Sequence, residues 1–213
     1  MKKSEVLERI VECGVLPVVR AASAIEAERL VAAISAGGID VIEVTMTVPG
    51  AIGLIESLAK QKGLLIGAGT VLDPETARDC INAGAAFIIS PAVNFDTIQY
   101  CNDKEIAVMP GALTPTEVVN AWDAGADVVK VFPADSMGGA KYLRSLKAPL
   151  PHIKLIPTGG VSQTTAADFI RAGAEAVGVG ADLADTALLR EGRAADITAS
   201  AESYRRIVKE ARF

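Results

Sequence analysis

Histidine is almost missing from this chain: His152 is the only one in 213 residues. A zinc site built on several histidines is therefore excluded, and a Ser/His/Asp triad would have to rest on a residue that precedes a predicted strand, away from the strand ends where barrel chemistry sits. Cysteine is scarce as well. Cys13, Cys80 and Cys101 are odd in number, widely spaced and without paired ligand spacing, so they read as reduced packing thiols of a cytoplasmic protein. Aromatic residues make up 4% of the chain, and the one tryptophan, Trp122, falls in a predicted helix, which leaves no platform for stacking nucleic-acid bases. Excess positive charge is lacking too: a formal net charge of −5 and a pI near 5.0 give no general attraction to nucleic acid or anionic lipid, so a small-molecule partner is expected. No apolar run is long enough to span a membrane, and the first eleven residues mix both charge signs at helical spacing, unlike the apolar core of a secretory signal.

Apolar residues are what the chain has in quantity. A hydrophobic share of 50% over this length can bury a substantial core within a single domain. Eight short β-rich runs alternate with helical stretches: Val15–Arg20, Val41–Thr45, Leu64–Gly69, Ala86–Ser90, Ile106–Met109, Asp127–Phe132, Ile153–Pro157 and Ala176–Gly180. Such alternation calls for a parallel sheet covered by helices, and eight units predict an α/β fold of the closed (β/α)8 TIM-barrel type, preceded by an N-terminal helix. A repeated corner supports this. Ala36-Gly37-Gly38, Ala83-Gly84-Ala85, Ala124-Gly125-Ala126 and Ala172-Gly173-Ala174 each close a helical pattern just before a strand, where glycine can take the left-handed cap. Helix starts are marked at Asp73-Pro74-Glu75, Thr114-Pro115-Thr116-Glu117 and Ser162-Gln163-Thr164. An open doubly wound sheet would normally carry a glycine-rich turn after its first strand, and none follows Arg20.

Two charged residues stand inside predicted strands. Lys130 interrupts Asp127-Val128-Val129-Lys130-Val131-Phe132-Pro133, and Glu43 interrupts Val41-Ile42-Glu43-Val44-Thr45. Side chains alternate between the faces of a strand, so Lys130 shares a face with Val128 and Phe132, and Glu43 points into the barrel if Ile42 and Val44 pack on helices. Burial disfavours the charged form of a lysine and exposes a nucleophilic amine, the group that makes Schiff bases with carbonyl substrates. A lysine snorkelling from an edge strand, or a plain buried ion pair with Glu43, explains the same pattern. Arg20, Thr70 and Thr158 lie at strand ends, where one pocket can gather them; Arg20 suits a carboxylate fork or an ordinary solvated position. The glycines of Thr158-Gly159-Gly160-Val161 and Gly178-Val179-Gly180-Ala181 follow the last two strands, the place where many barrels cradle a phosphate on backbone N–H groups, although glycine also serves tight turns there.

Glu43-Val44-Thr45-Met46-Thr47, Gly67-Ala68-Gly69-Thr70-Val71, Ile89-Ser90-Pro91, Met109-Pro110-Gly111, Val129-Lys130-Val131-Phe132-Pro133-Ala134 and Pro157-Thr158-Gly159-Gly160 together resemble the 2-keto-3-deoxy-6-phosphogluconate and 4-hydroxy-2-oxoglutarate aldolases, from the first strand to about Leu183. The resemblance implies a trimeric barrel that needs no metal or organic cofactor. It implies Lys130 as the Schiff-base lysine, Glu43 as general acid and base, and Thr70, Thr158 and Pro91 in the pocket for a 2-keto acid. Gly159, Gly160, Gly180 and Ala181 match the phosphate site. Two positions depart from the family pattern. Thr47 stands where many members carry an arginine for the pyruvate carboxylate, a role that then passes to Arg20, and Ala181 replaces a serine that completes the phosphate site.

Overall fold

The computed structural model describes residues Met1–Phe213. Helix α1 (Lys3–Cys13) opens the chain, followed by β1 (Val15–Val19), α2 (Ala24–Ala36), β2 (Val41–Thr45), α3 (Ala51–Ala59), β3 (Leu65–Gly69), α4 (Pro74–Asn82), β4 (Phe87–Ile89) and α5 (Phe95–Asp103). The second half runs β5 (Ala107–Met109), β6 (Gly111–Ala112), α6 (Pro115–Asp123), β7 (Val129–Val131), α7 (Ala140–Lys147), β8 (Leu155–Pro157), α8 (Ala166–Arg171), β9 (Val177–Val179), α9 (Thr186–Arg190) and α10 (Ala194–Ala211). Each of the eight expected runs holds a strand. Just past the fifth run the structure adds a short strand, β6, which Pro110, with no N–H to give to the ladder, separates from β5 while its carbonyl still accepts from Lys130 N–H at 2.9 Å.

Every strand pairing is parallel, in a six-stranded order β5-β4-β3-β2-β1-β9 and a three-stranded order β6-β7-β8. Two seams relate them. At one, Asp127 N–H donates to Val108 O at 3.1 Å and Val108 N–H to Asp127 Oδ2 at 2.9 Å; at the other, Thr158 bridges Gly178 and Glu175 N–H donates to Leu155 O at 3.0 Å. Parallel strands require crossovers, and the helices supply them with local signals that work as read: Asp73 accepts from Thr76 N–H at the start of α4, and Thr114 forms a capping box with Glu117 at the start of α6. Gly38, Gly84, Gly125 and Gly173, at φ of +84°, +100°, +96° and +98°, take the left-handed turn after their helices. One helix start differs. Ser162 heads a turn closed by Thr165 Oγ1, and α8 begins only at Ala166.

The two faces of the strands bury two different cores. Ile42, Val44, Ile66, Ala68, Ile88, Val129, Val131, Leu155, Val177 and Val179 join the helices in the larger apolar cluster. Leu16, Val41, Leu65, Phe87, Met109, Val128 and Ile156 face inward and meet Val6 and Ile10 of α1, which closes the N-terminal end of the strands. Each such buried side chain contributes roughly 1.5–3 kcal/mol. Lys3 of α1 adds an ion pair with Asp127 at 2.9 Å. With that end plugged by hydrocarbon, the inward face is open to polar groups only toward the C-terminal strand ends. No helix is long and apolar enough to cross a membrane.

Candidate active site

Glu43 and Lys130 follow Val41 and Val128 on the inward face, one step nearer the C-terminal ends of β2 and β7. They are 1% and 4% exposed. Lys130 Nζ lies 4.0 Å from Glu43 Oε1 and 5.2 Å from the centre of the Phe132 ring, so the ammonium position is held between a carboxylate and an aromatic face. Glu43 Oε1 is buried with no hydrogen-bond donor from the protein. Burial pushes the Glu43 carboxyl above the usual carboxylate range, and the positive charges of Lys130 and Arg20 pull it only partly back. A buried carboxyl that is reluctant to ionise, with an unpaired acceptor beside a lysine, is suited to taking up and returning protons.

Beside this pair the strand ends form a cleft of about 560 Å³ lined by Val18, Arg20, Phe132, Thr158, Gly159, Gly160, Gly180, Ala181 and Asp182, among others, but not by Glu43 or Lys130 themselves. Val18 stands directly opposite Glu43 in the β1–β2 ladder, and the Phe132 ring lies against the Lys130 amine, so two lining residues join the cleft to the buried pair. The structure thus gathers Arg20, Thr158 and all four residues matched to the phosphate site around one cavity. Thr47, Thr70 and Pro91 do not line it. Thr47 is exposed and shares a 2.6 Å hydrogen bond with Thr45, whose hydroxyl also donates to Val19 O at 3.1 Å. Thr70 ends β3 in the left-handed region at φ +60°, and Pro91 passes so close to Gly111 that a Cβ there would meet its carbonyl at 2.3 Å. His152 is remote from this group and packs edge-on against Trp122 at 6.3 Å.

Gly159 and Gly160 have φ of +97° and +67°, and their open backbone turns over Asp135. The N–H groups of Gly160, Gly180 and Ala181 donate to no acceptor within the protein. Such free donors on two adjacent loops make an anion cradle. Sequence reading passed over three contributors. Gly69 is the clearest, since a glycine in a strand signals close approach: a Cβ there would collide with Glu43. Asp182 and Tyr204 carried no comparable signal, and their contact joins residues far apart in the chain.

A model of the family described as KDPG and KHG aldolase matches residues 6–200. The chain belongs to this aldolase family. The chain is 33% identical over 160 residues to the 2-dehydro-3-deoxy-phosphogluconate aldolase of Pseudomonas aeruginosa, covering 75% of this aldolase and 73% of that one. With the KHG/KDPG aldolase of Escherichia coli it shares 33% identity over 165 residues, 76% and 78% of the two chains. Among solved structures, a KDPG aldolase from Legionella pneumophila with pyruvate captured as a covalent carbinolamine intermediate superposes with a TM-score of 0.86 at 29% identity, covering 96% of this aldolase and 98% of that chain. As a member of this family the chain is a lyase, and the fold it shares with these neighbours is α/β with a parallel sheet.

Proposed function

We propose that this aldolase cleaves 2-keto-3-deoxy-6-phosphogluconate to pyruvate and glyceraldehyde 3-phosphate through a Schiff base on Lys130, with Glu43 as the proton carrier. The observation that carries the reading is the 4.0 Å separation of the two buried groups beside the cleft. The amine of Lys130 attacks the C2 ketone, and Glu43 delivers the proton that lets the carbinolamine oxygen leave as water. The resulting protonated imine is an electron sink. Glu43 then takes the proton of the C4 hydroxyl, the C3–C4 bond breaks, and its electrons pass into an enamine as the aldehyde departs. Protonation at C3 and attack of water on the imine release pyruvate and return the amine. Arg20 is the candidate for the substrate carboxylate, with Thr158 in the cleft lining and Thr47, Thr70 and Pro91 at strand ends outside it. The free N–H groups of Gly160, Gly180 and Ala181, beside the Gly159 backbone, receive the phosphate.

The same reading takes residues 1–213 as one domain and the strands as a closed (β/α)8 barrel. Hydrogen bonds across both seams between the two sheets support closure, and a 51-residue apolar cluster drawn from every part of the chain supports a single domain. Three unpaired thiols favour a reducing, cytoplasmic setting. A homotrimer follows from the family resemblance; Leu72 and Phe95, each more than half exposed, offer apolar surface for a neighbour.

Ala181, without a hydroxyl to give the phosphate, favours a second substrate. Cleavage of 4-hydroxy-2-oxoglutarate to pyruvate and glyoxylate uses the same lysine and needs no cradle. Specificity constants for the two substrates decide between them.

The reading is tested by incubation with pyruvate and borohydride, with and without EDTA, followed by mass mapping. A reduced adduct on Lys130 that survives EDTA and is absent from a folded Lys130→Met variant is expected. A folded wild-type protein without an adduct at Lys130 would overturn the mechanism.

A further inference from the structure

Helix α10 reaches both loops of the cradle. From its buried side, Tyr204 is 0% exposed, and its hydroxyl donates to Asp182 Oδ1 in the turn after β9. From its outer side, Ser203 Oγ donates to Gln163 Oε1 at 2.9 Å, and Gln163 Nε2 donates to Ser200 Oγ at 3.0 Å, which ties down the loop after β8. The helix itself is fastened to α2 by Thr198 Oγ1 on Ala33 O at 2.8 Å. The loop after β8 is closed further by Thr165 Oγ1 donating to Gly160 O at 2.9 Å, and the turn after β9 by Leu183 and Ala184 N–H donating to Gly180 O. Two loops of different strands therefore hang from one helix, and these loops carry the free N–H groups.

We propose that Tyr204, with Asp182, and Gln163 are positioning residues that hold the two halves of the cradle at a fixed spacing, and so set the preference for a phosphorylated substrate. This deepens the reading of the cleft given above and rests on it. The physical reason is preorganisation. A phosphate bound by backbone donors from two loops gains most when both loops are ordered beforehand, since ordering them on binding subtracts from affinity. The Tyr204 hydroxyl also engages the Asp182 carboxylate. Released, that carboxylate can turn into the cleft it already lines and repel a phosphate dianion. Burial and the adjacent Asp182 push the Tyr204 hydroxyl up, so it keeps its proton and remains the donor.

The test compares KM for 2-keto-3-deoxy-6-phosphogluconate and for unphosphorylated 2-keto-3-deoxygluconate in wild type, Tyr204→Phe, Asp182→Ala, the double variant and Gln163→Ala. Exchange of the pyruvate methyl protons serves as a control that uses Lys130 and Glu43 but no phosphate site. Tyr204→Phe and Asp182→Ala should each raise KM for the phosphorylated substrate by about three- to tenfold, with the double variant no worse than either single. In Tyr204→Phe and Gln163→Ala, KM for the unphosphorylated substrate and the exchange rate should stay level. Gln163→Ala, a surface change that spares the core, should shift the same KM in the same direction. Loss of both substrates and exchange in parallel would mean a merely structural role and would overturn the proposal. So would unchanged discrimination in Tyr204→Phe and Gln163→Ala, which would leave the cradle itself standing. A wild type that does not distinguish the two substrates would remove the cradle and the proposal together.

Discussion

Gly69 faces the carboxylate of Glu43 so closely that a Cβ at residue 69 would stand 1.8 Å from Glu43 Oε1 and 2.4 Å from its Cδ. The neighbouring strand therefore gives up a side chain to let this carboxylate lie along the strand end toward Lys130. Gly69→Ala should keep the fold, because its extended backbone accepts alanine, while displacing Glu43. The expected result is a fall in kcat of about tenfold or more with imine trapping on Lys130 retained. Steady-state kinetics beside borohydride trapping checks this, and an unchanged kcat would show that the carboxylate position is not critical.

Glu43 links activity and stability with opposite signs. Its folded pKa lies above the ordinary value of 4.5 chiefly because of burial, so between the two values the folded state binds more protons than the unfolded one. Stability therefore falls as pH rises through that window, and the destabilisation is complete above the folded pKa. Glu43→Gln removes the ionisation and should melt at a higher temperature than wild type at neutral pH, the gain shrinking as pH falls through that window and vanishing below 4.5. The same variant should lose about 10²–10⁴ in kcat. Thermal melts across pH and initial rates measure both.

Arg20 lowers the Glu43 pKa through its charge and lines the cleft. Arg20→Ala should raise KM for 2-keto acids by about tenfold, the loss of one charge-assisted contact, and should move the acid limb of the kcat/KM profile to higher pH. A pH profile that does not move would separate Arg20 from the Glu43 carboxylate.

Ile10 of α1 is buried against the inward cluster at the end of the strands opposite the cleft. Ile10→Ala should destabilise by about 2–5 kcal/mol through lost burial and the cavity it leaves, with kcat per folded molecule unchanged. Denaturant melts and active-site titration by trapping on Lys130 test the two halves independently.

Much of the fold was legible because its signals are local. The helix caps at Asp73 and Thr114 and the left-handed glycines 38, 84, 125 and 173 act within one turn of the chain. The strand faces could be assigned because Glu43 and Lys130 break apolar runs whose period is two, and the inward cluster contains Val41 and Val128 as that period requires. The break at Pro110 and the late start of α8 were not seen. The first depends on what the neighbouring strand accepts, and the second on a hydroxyl, Thr165 Oγ1, being recruited to close a turn.

Of the candidate site, the sequence alone determined that Lys130 and Glu43 interrupt apolar strands, and on which face of those strands they stand. Those properties follow from residue type and a two-residue repeat. Only the tertiary structure decided which of the strand-end residues share a cavity: Arg20, Thr158 and the glycine loops do, while Thr47, Thr70 and Pro91 lie outside its lining. It alone brought Gly69 against Glu43, and it alone set Tyr204 against Asp182 and Gln163 between Ser200 and Ser203. Such contacts join segments that no periodicity relates, since the distance between them is set by strand register and by the packing of α10 over both loops.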